Sequence, residues 1–226
     1  MPTVLITGAG RGLGFELAKQ YAADGWTVIA TVRDPKAGAR LSALGKSVQV
    51  HLADVTDRKA IARLAQDLQG AAIDILICNA GIYGPKGQSF GATDYAAWEE
   101  VLKVNLLAPM AVVEALVDNV AKSGQKRIVM MSSQLASLGL NMGADTIYKT
   151  SKTALNQLTR CLAAELAGRG ITVVAVSPGW VKTDMGGPAA PLTPETSITG
   201  LRKVIAGLTP QKSGTFLHYD GSQNPW

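Results

Sequence analysis

Thr3-Val4-Leu5-Ile6-Thr7-Gly8-Ala9-Gly10-Arg11-Gly12-Leu13-Gly14, followed directly by Phe15 to Ala23, reads as a strand, a glycine turn and a helix. Such a turn brings the backbone N–H groups of a helix N-terminus up to an anion, and a Cβ at the closest positions would hold the anion away. The dinucleotide fingerprint G-x-G-x-x-G is not met, because Leu13 stands where its third glycine would fall. Gly8, Gly12 and Gly14 instead take the spacing TGxxxGxG, with Gly10, Arg11 and Leu13 between them. A phosphate-bearing ligand is the expected occupant.

Six further β-branched runs follow, Thr27 to Val32, Val48 to His51, Ile73 to Cys78, Arg127 to Met131, Ile171 to Ser177 and Thr215 to Leu217. Helical stretches separate them, and Leu155, Leu158, Leu162 and Leu166 are spaced to share one helix face. The alternation predicts an α/β fold: a doubly wound Rossmann-type domain over residues 1–226, with a seven-stranded parallel sheet and helices on both faces. Its ligands should lie beyond the carboxyl ends of the strands. The segments 95–121 and 146–168 read as two long helices.

Composition narrows the function classes. With 226 residues, 47% hydrophobic and 17% charged, the chain can build a core and is neither disordered nor fibrous. The net charge of +5 is spread without a basic block, so a nucleic-acid partner is not expected. The apolar stretch Val104 to Ala121 contains Asn105, Glu114, Asp118 and Asn119, which excludes a bilayer span. The first residues carry no basic n-region, and Cys78 and Cys161 each sit in apolar surroundings, so a cytoplasmic protein with buried, reduced thiols is expected.

The end of the second run speaks to the cofactor. An acid there would hold ribose hydroxyls, whereas an arginine suits a 2′-phosphate. Arg33 stands at that end, and Arg11 in the glycine turn offers a second cation, so NADP(H) is favoured over NAD(H). Asp34, followed by Pro35, reads as a helix cap rather than a ribose ligand.

Tyr148 and Lys152 are one helical turn apart, on one face of the 146–168 segment. Moving a hydride to a carbonyl carbon leaves charge on oxygen, and a proton donor must meet it. A phenol beside an ammonium can serve, since the cation favours its ionised form. Ser133, just after the fifth run, could hydrogen-bond the same oxygen; Ser132 competes, but only one of two adjacent strand residues can face the site. A Ser-His-Asp hydrolase is not supported, because His51 and His218 are the only histidines and no G-x-S-x-G elbow is present.

The glycine turn, Asn79-Ala80-Gly81, Asn105, Ser132-Ser133, Tyr148 with Lys152, and Pro178-Gly179 stand in the order of the short-chain dehydrogenase/reductase family, which the whole chain resembles. Cys78 replaces the first Asn of the family's NNAG motif. The ending, from Gly214-Thr215-Phe216 to Pro225-Trp226, is similar to the C-factor and sniffer-like carbonyl reductase branch. The resemblance implies catalytic roles for Asn105, Ser133, Tyr148 and Lys152, Asn105 supporting a water relay to Lys152, which also holds the nicotinamide ribose. It further implies cofactor contacts at Asp54, Val55, Asn79, Ala80, Gly81, Pro178, Gly179, Val181 and Thr183.

The implied activity is hydride transfer between NADPH and a small-molecule ketone or aldehyde, with a cofactor-binding signalling or sensor protein as the alternative. Relatives commonly form homodimers or homotetramers through the two long helices, where Ala111, Ala115, Ala163, Ala164 and Ala167 permit close contact. Residues 184–197, rich in glycine and proline, form the expected substrate-covering loop. With Leu135, Leu138, Met142, Trp180 and Met185 they suggest an uncharged, mostly hydrophobic substrate.

Overall fold

In the computed structural model, which describes residues 1–88, 90–140 and 143–226, the seven expected strands join one parallel sheet. They are β1 (Thr3–Ile6), β2 (Thr27–Val32), β3 (Val48–Leu52), β4 (Ile75–Cys78), β5 (Arg127–Met131), β6 (Thr172–Ser177) and β7 (Phe216–His218), in the order β3-β2-β1-β4-β5-β6-β7. The order reverses between β1 and β4, which pair through Val4–Ile75, Leu5–Leu76 and Ile6–Ile77, so a crevice opens beyond the ends of these two strands.

Strand alternation splits the core into two layers. Val4 and Ile6 of β1 and Ile75 and Ile77 of β4 face one side, under α1 (Gly12–Ala23), α2 (Pro35–Ser42) and α7 (Pro194–Ala206). Leu5, Leu76 and Cys78 face the other, under α3 (Arg58–Asp67), α5 (Ala108–Ala121) and α6 (Thr146–Glu165). The leucine stripe of α6 enters this second layer as its spacing predicts. α2 begins as expected, Asp34 accepting from the Lys36 N–H with Pro35 in the first turn. Among the described residues no helix is long and apolar enough to cross a membrane.

Four expectations need correction. The 95–121 segment is not one helix: α4 (Tyr95–Leu102) runs into a π-helical turn at Lys103–Leu107 before α5, because the Asn105 amide bonds outside its own helix. The second long helix ends at Glu165 and gives way to a 3-10 turn at Ala167–Arg169. The 184–197 loop stops at Thr193, whose hydroxyl caps α7, with Pro194 in its first turn. Cys78 is buried but Cys161 is exposed, since position 161 lies roughly 100° around α6 from the inward-facing Leu162.

Leu116 of α5 is fully buried against the sheet. Leu116→Ala is expected to lower unfolding stability by about 2–5 kcal/mol. Urea denaturation checks this, with an unchanged midpoint as the contrary result.

Candidate active site

The glycine turn is held by the loop after β4. The Thr7 hydroxyl accepts from the N–H groups of Asn79 and Ala80 at 3.0 and 3.1 Å, and the Asn79 amide donates to the Thr7 and Gly8 carbonyls at 2.9 and 3.2 Å. A Cβ on Gly14 would come within 2.4 Å of the Gly8 carbonyl oxygen and 2.6 Å of Asn79 Nδ2. Gly8 has φ +66° and lies so near Ala80 that a Cβ would meet its Cα at 2.9 Å, while Gly10 lies against Ala37. Asn79 is therefore a brace for the turn, and Thr7, which opens the TGxxxGxG spacing, is its other half.

Helix α1 starts with neither a capping side chain nor an acid in its first turn, whereas α2, α3, α4 and α7 are capped by Asp34, Asp57, Asp94 and Thr193. Its first N–H groups are therefore left without a side-chain partner, a setting that suits a pyrophosphate. Thr183 comes close on the far side, its methyl 3.5 Å from where a Cβ on Gly12 would sit. The residues fit the dinucleotide that the turn implies.

Three exposed arginines surround the end of the crevice beside β2, where the adenosine of such a dinucleotide would fall. Arg33 approaches Asp54 at 3.8 Å, Arg11 pairs with Asp184 at 3.0 Å, and Arg40 donates to the Gly10 carbonyl at 3.0 Å. Arg40 carries no sequence signal that separates it from a solvated helix charge. Partial burial raises the Asp54 carboxyl, but the Thr56 hydrogen bonds, Arg33 and Lys103 hold it below its ordinary value. Val55 is buried in the second layer, and Leu13 packs on the first.

Farther along the crevice, Tyr148 and Lys152 project from the first turns of α6 and are both buried. The Lys152 ammonium donates to the Met131 carbonyl at 2.8 Å and lies 5.9 Å from the Tyr148 ring centroid. Burial pushes the Tyr148 phenol up to about 12 against a smaller lowering by its hydrogen bond with Ser133, and burial pushes Lys152 down to about 8. The lowering of the phenol expected from Lys152 is not found: burial raises it, and the Ser133 hydrogen bond alone acts the other way. Ser132 turns away, bonding Asn156 at 2.6 Å inside the protein, which leaves Ser133 beside Tyr148.

Asn105 is fully buried in the π turn. Its oxygen accepts from the Ile82 N–H and its amide donates to the Ile82 carbonyl and to Ser151 Oγ, each at 2.9 Å. It thus ties the loop after β4 to α6. Gly81 sits between it and Lys152: a Cβ there would stand 3.2 Å from Asn105 Oδ1 and 3.4 Å from Lys152 Nζ.

Beyond β6, the Ser177 hydroxyl accepts from the Gln134 and Gly179 N–H groups, and Ser197 donates to the Pro178 carbonyl. Gly179, at φ +78°, leaves room for Leu192 and Tyr219. Val181 is buried and bridges Leu192, which closes the neck of the 182–192 loop. An open groove of about 420 Å³ runs along Lys182, Thr183, Asp184, Gly187 and Pro188. Leu135, Leu138, Trp180 and Met185 are 41%, 71%, 57% and 39% exposed, so they are surface groups and not core; Met142 lies outside the described residues.

The short chain dehydrogenase family matches residues 2–191. The chain belongs to this family of oxidoreductases. Among curated proteins it is 37% identical to the C-signal of Myxococcus xanthus over 155 residues, 68% of this chain and 93% of that one. Among solved structures, an NADPH-bound carbonyl reductase from chicken fatty liver superposes with a TM-score of 0.92 at 31% identity, covering 100% and 99% of the two chains. The carbonyl reductase Sniffer of D. melanogaster gives 0.93 at 31%, covering both chains in full. This short-chain dehydrogenase falls in the C-factor and sniffer-like branch.

Lys152 provides a test of the site's electrostatics. Its folded value of about 8 lies below the ordinary 10.5, so between these limits the unfolded chain binds more protons and stability rises with pH. The burial penalty is full below pH 8, at about 3 kcal/mol, and fades by pH 10.5. Lys152→Met should therefore gain stability relative to the parent dehydrogenase most strongly near neutral pH, offset by a pH-independent loss of the bond to Met131. Denaturation of both proteins across this range measures the difference, and a gap that does not change with pH rejects it.

Proposed function

We propose that this dehydrogenase reduces an uncharged, largely hydrophobic ketone or aldehyde with NADPH. The carrying observation is that Ser133, after β5, and the Tyr148–Lys152 pair of α6 meet at the carboxyl end of β5 along the crevice from the braced glycine turn. NADPH would supply the hydride. Gly8, Gly12, Gly14 and Thr183 would hold its pyrophosphate, and Lys152 its nicotinamide ribose. Arg11, Arg33 and Arg40 favour its 2′-phosphate over the bare ribose of NADH.

At neutral pH the phenol of Tyr148 keeps its proton, because burial disfavours the phenolate. As hydride reaches the carbonyl carbon, Tyr148 Oη gives that proton to the carbonyl oxygen, with Ser133 donating to the same oxygen as charge develops. Ser133 and the Lys152 ammonium then stabilise the phenolate until water restores the proton. Exposed Leu135, Leu138, Trp180 and Met185 support a hydrophobic substrate.

We place the enzyme in the cytoplasm, as its free thiols favour. A single domain over residues 1–226, with the 184–193 loop over the substrate, fits the site. Assembly as a homodimer or homotetramer through α5 and α6 is supported at exposed Ala164 and, in the turn after α6, at Ala167; Ala111 and Ala163 instead face the core, and Ala115 packs against it. The likeness to C-signal supports a second reading, in which signalling accompanies or replaces turnover.

With NADPH and a panel of hydrophobic carbonyls, turnover is expected, and Tyr148→Phe should lower kcat by about 10²–10⁴-fold. An unchanged rate removes the assignment, while a biological effect that survives in the inactive variant favours signalling. In binding titrations NADPH should bind more tightly than NADH, and Arg33→Ala should weaken NADPH alone by about tenfold or more. Equal affinities for the two nucleotides would show the arginine reading to be wrong.

A further inference from the structure

Tyr83 lies in the loop after β4 and has no part in the chemistry above. Its ring stacks on the ring of Tyr148, with centroids 4.4 Å apart and planes 19° from parallel. Its hydroxyl lies within electrostatic reach of the carboxylate of Asp145, the residue that precedes α6. Burial and that carboxylate both push the Tyr83 phenol up, so it stays neutral and remains a donor.

Both ends of this contact are fixed. On the loop side, the Asn105 amide holds Ile82 by both its N–H and its carbonyl. Gly84, at φ +81°, follows immediately and sits so close to α4 that a Cβ would meet Val101 Cγ2 at 2.8 Å. Tyr83 is thus presented by backbone anchored before and after it. On the helix side, Ala144 and Asp145 both have positive φ, 61° and 55°, a region that is uncommon for alanine and better tolerated by aspartate. The Asp145 side chain makes no capping bond to α6, so its carboxylate is free to take the Tyr83 hydroxyl.

We propose that Tyr83 is a positioning residue for carbonyl reduction: its ring backs the face of Tyr148, and its hydroxyl, beside the Asp145 carboxylate, helps set the start of α6. The two contacts fix the angle at which Tyr148 Oη meets the substrate oxygen and keep water from one face of that ring. Misplacing a proton donor by a fraction of its reach is costly in rate while leaving binding elsewhere untouched. The inference rests on the functional reading above.

The test compares Tyr83→Ala, Tyr83→Phe, Asp145→Asn and the Tyr83→Phe/Asp145→Asn double variant with the starting protein and with Tyr148→Phe. Steady-state reduction of the best carbonyl and NADPH titration are measured for each. Tyr83→Ala is expected to lower kcat by about 10- to 100-fold, with the NADPH dissociation constant within about twofold. Tyr83→Phe keeps the stack and should recover most of the rate, losing only about threefold. Asp145→Asn should lose a similar factor, and the double variant should be no worse than either single change.

A Tyr83→Ala kcat within about twofold of the start overturns the inference, as does a loss of NADPH affinity in step with kcat. If Tyr83→Ala does not fold, the Phe and Asn variants decide: additive losses, or none, overturn it. Failure of the functional reading looks different. In that case the starting protein reduces no carbonyl, whereas failure of the present inference leaves an active protein silenced by Tyr148→Phe and indifferent to Tyr83→Ala.

Discussion

An ammonium taken out of water at the end of a parallel sheet is the constraint around which this site is arranged. Lys152 is 4% exposed, and the Met131 carbonyl at 2.8 Å replaces part of its lost hydration. Burial on this scale disfavours the charged form strongly. The Met131 carbonyl at the end of β5 and the Tyr148 ring, with its centroid 5.9 Å from the ammonium, are the partners the neighbourhood offers it. Such an arrangement destabilises the fold where it sits, and the two apolar layers on either side of the sheet offset it.

A second constraint is steric. The turn after β1 can approach the end of β4 only because Gly8 and Gly14 carry no side chain, and Thr7 and Asn79 then lock the approach with four hydrogen bonds. The same β4 loop continues through Gly81, next to Lys152, and Ile82, held by Asn105, to Tyr83 on Tyr148. One short segment therefore touches both the glycine turn and Tyr148. Its sequence is constrained residue by residue for different reasons: close approach at Gly81, backbone bonding at Ile82, ring contact at Tyr83.

The features legible in the sequence are those with a period or a fixed local motif. Seven β-branched runs correspond to seven strands to within two residues at their ends, and the glycine turn, the Asp34-Pro35 cap and the leucine stripe of α6 all form as their local chemistry requires. The features that escape it depend on partners distant in the chain. The break at Asn105 comes from an amide bonding Ile82 and Ser151, which no periodicity in 95–121 records. Tyr83 and Arg40 read as ordinary surface residues until the fold brings Tyr148 and Gly10 to them. Cys161 has apolar neighbours in sequence, but helical phase, not neighbourhood, decides exposure.

The site divides its labour by solvent exposure. Groups assigned to proton transfer are buried or shielded, where a hydrogen bond or a charge acts in a low dielectric and each ångström matters. The cations assigned to the 2′-phosphate are exposed, Arg33 and Arg11 with side chains 65% and 72% accessible and each beside an acid. Exposed pairs of this kind contribute little to stability, and salt screens them. A bound phosphate can therefore displace Asp184 or share Arg33 with Asp54 at small energetic cost to the fold. Preference between the two nucleotides should accordingly weaken as ionic strength rises, while the proton-transfer step, buried from the same ions, should not.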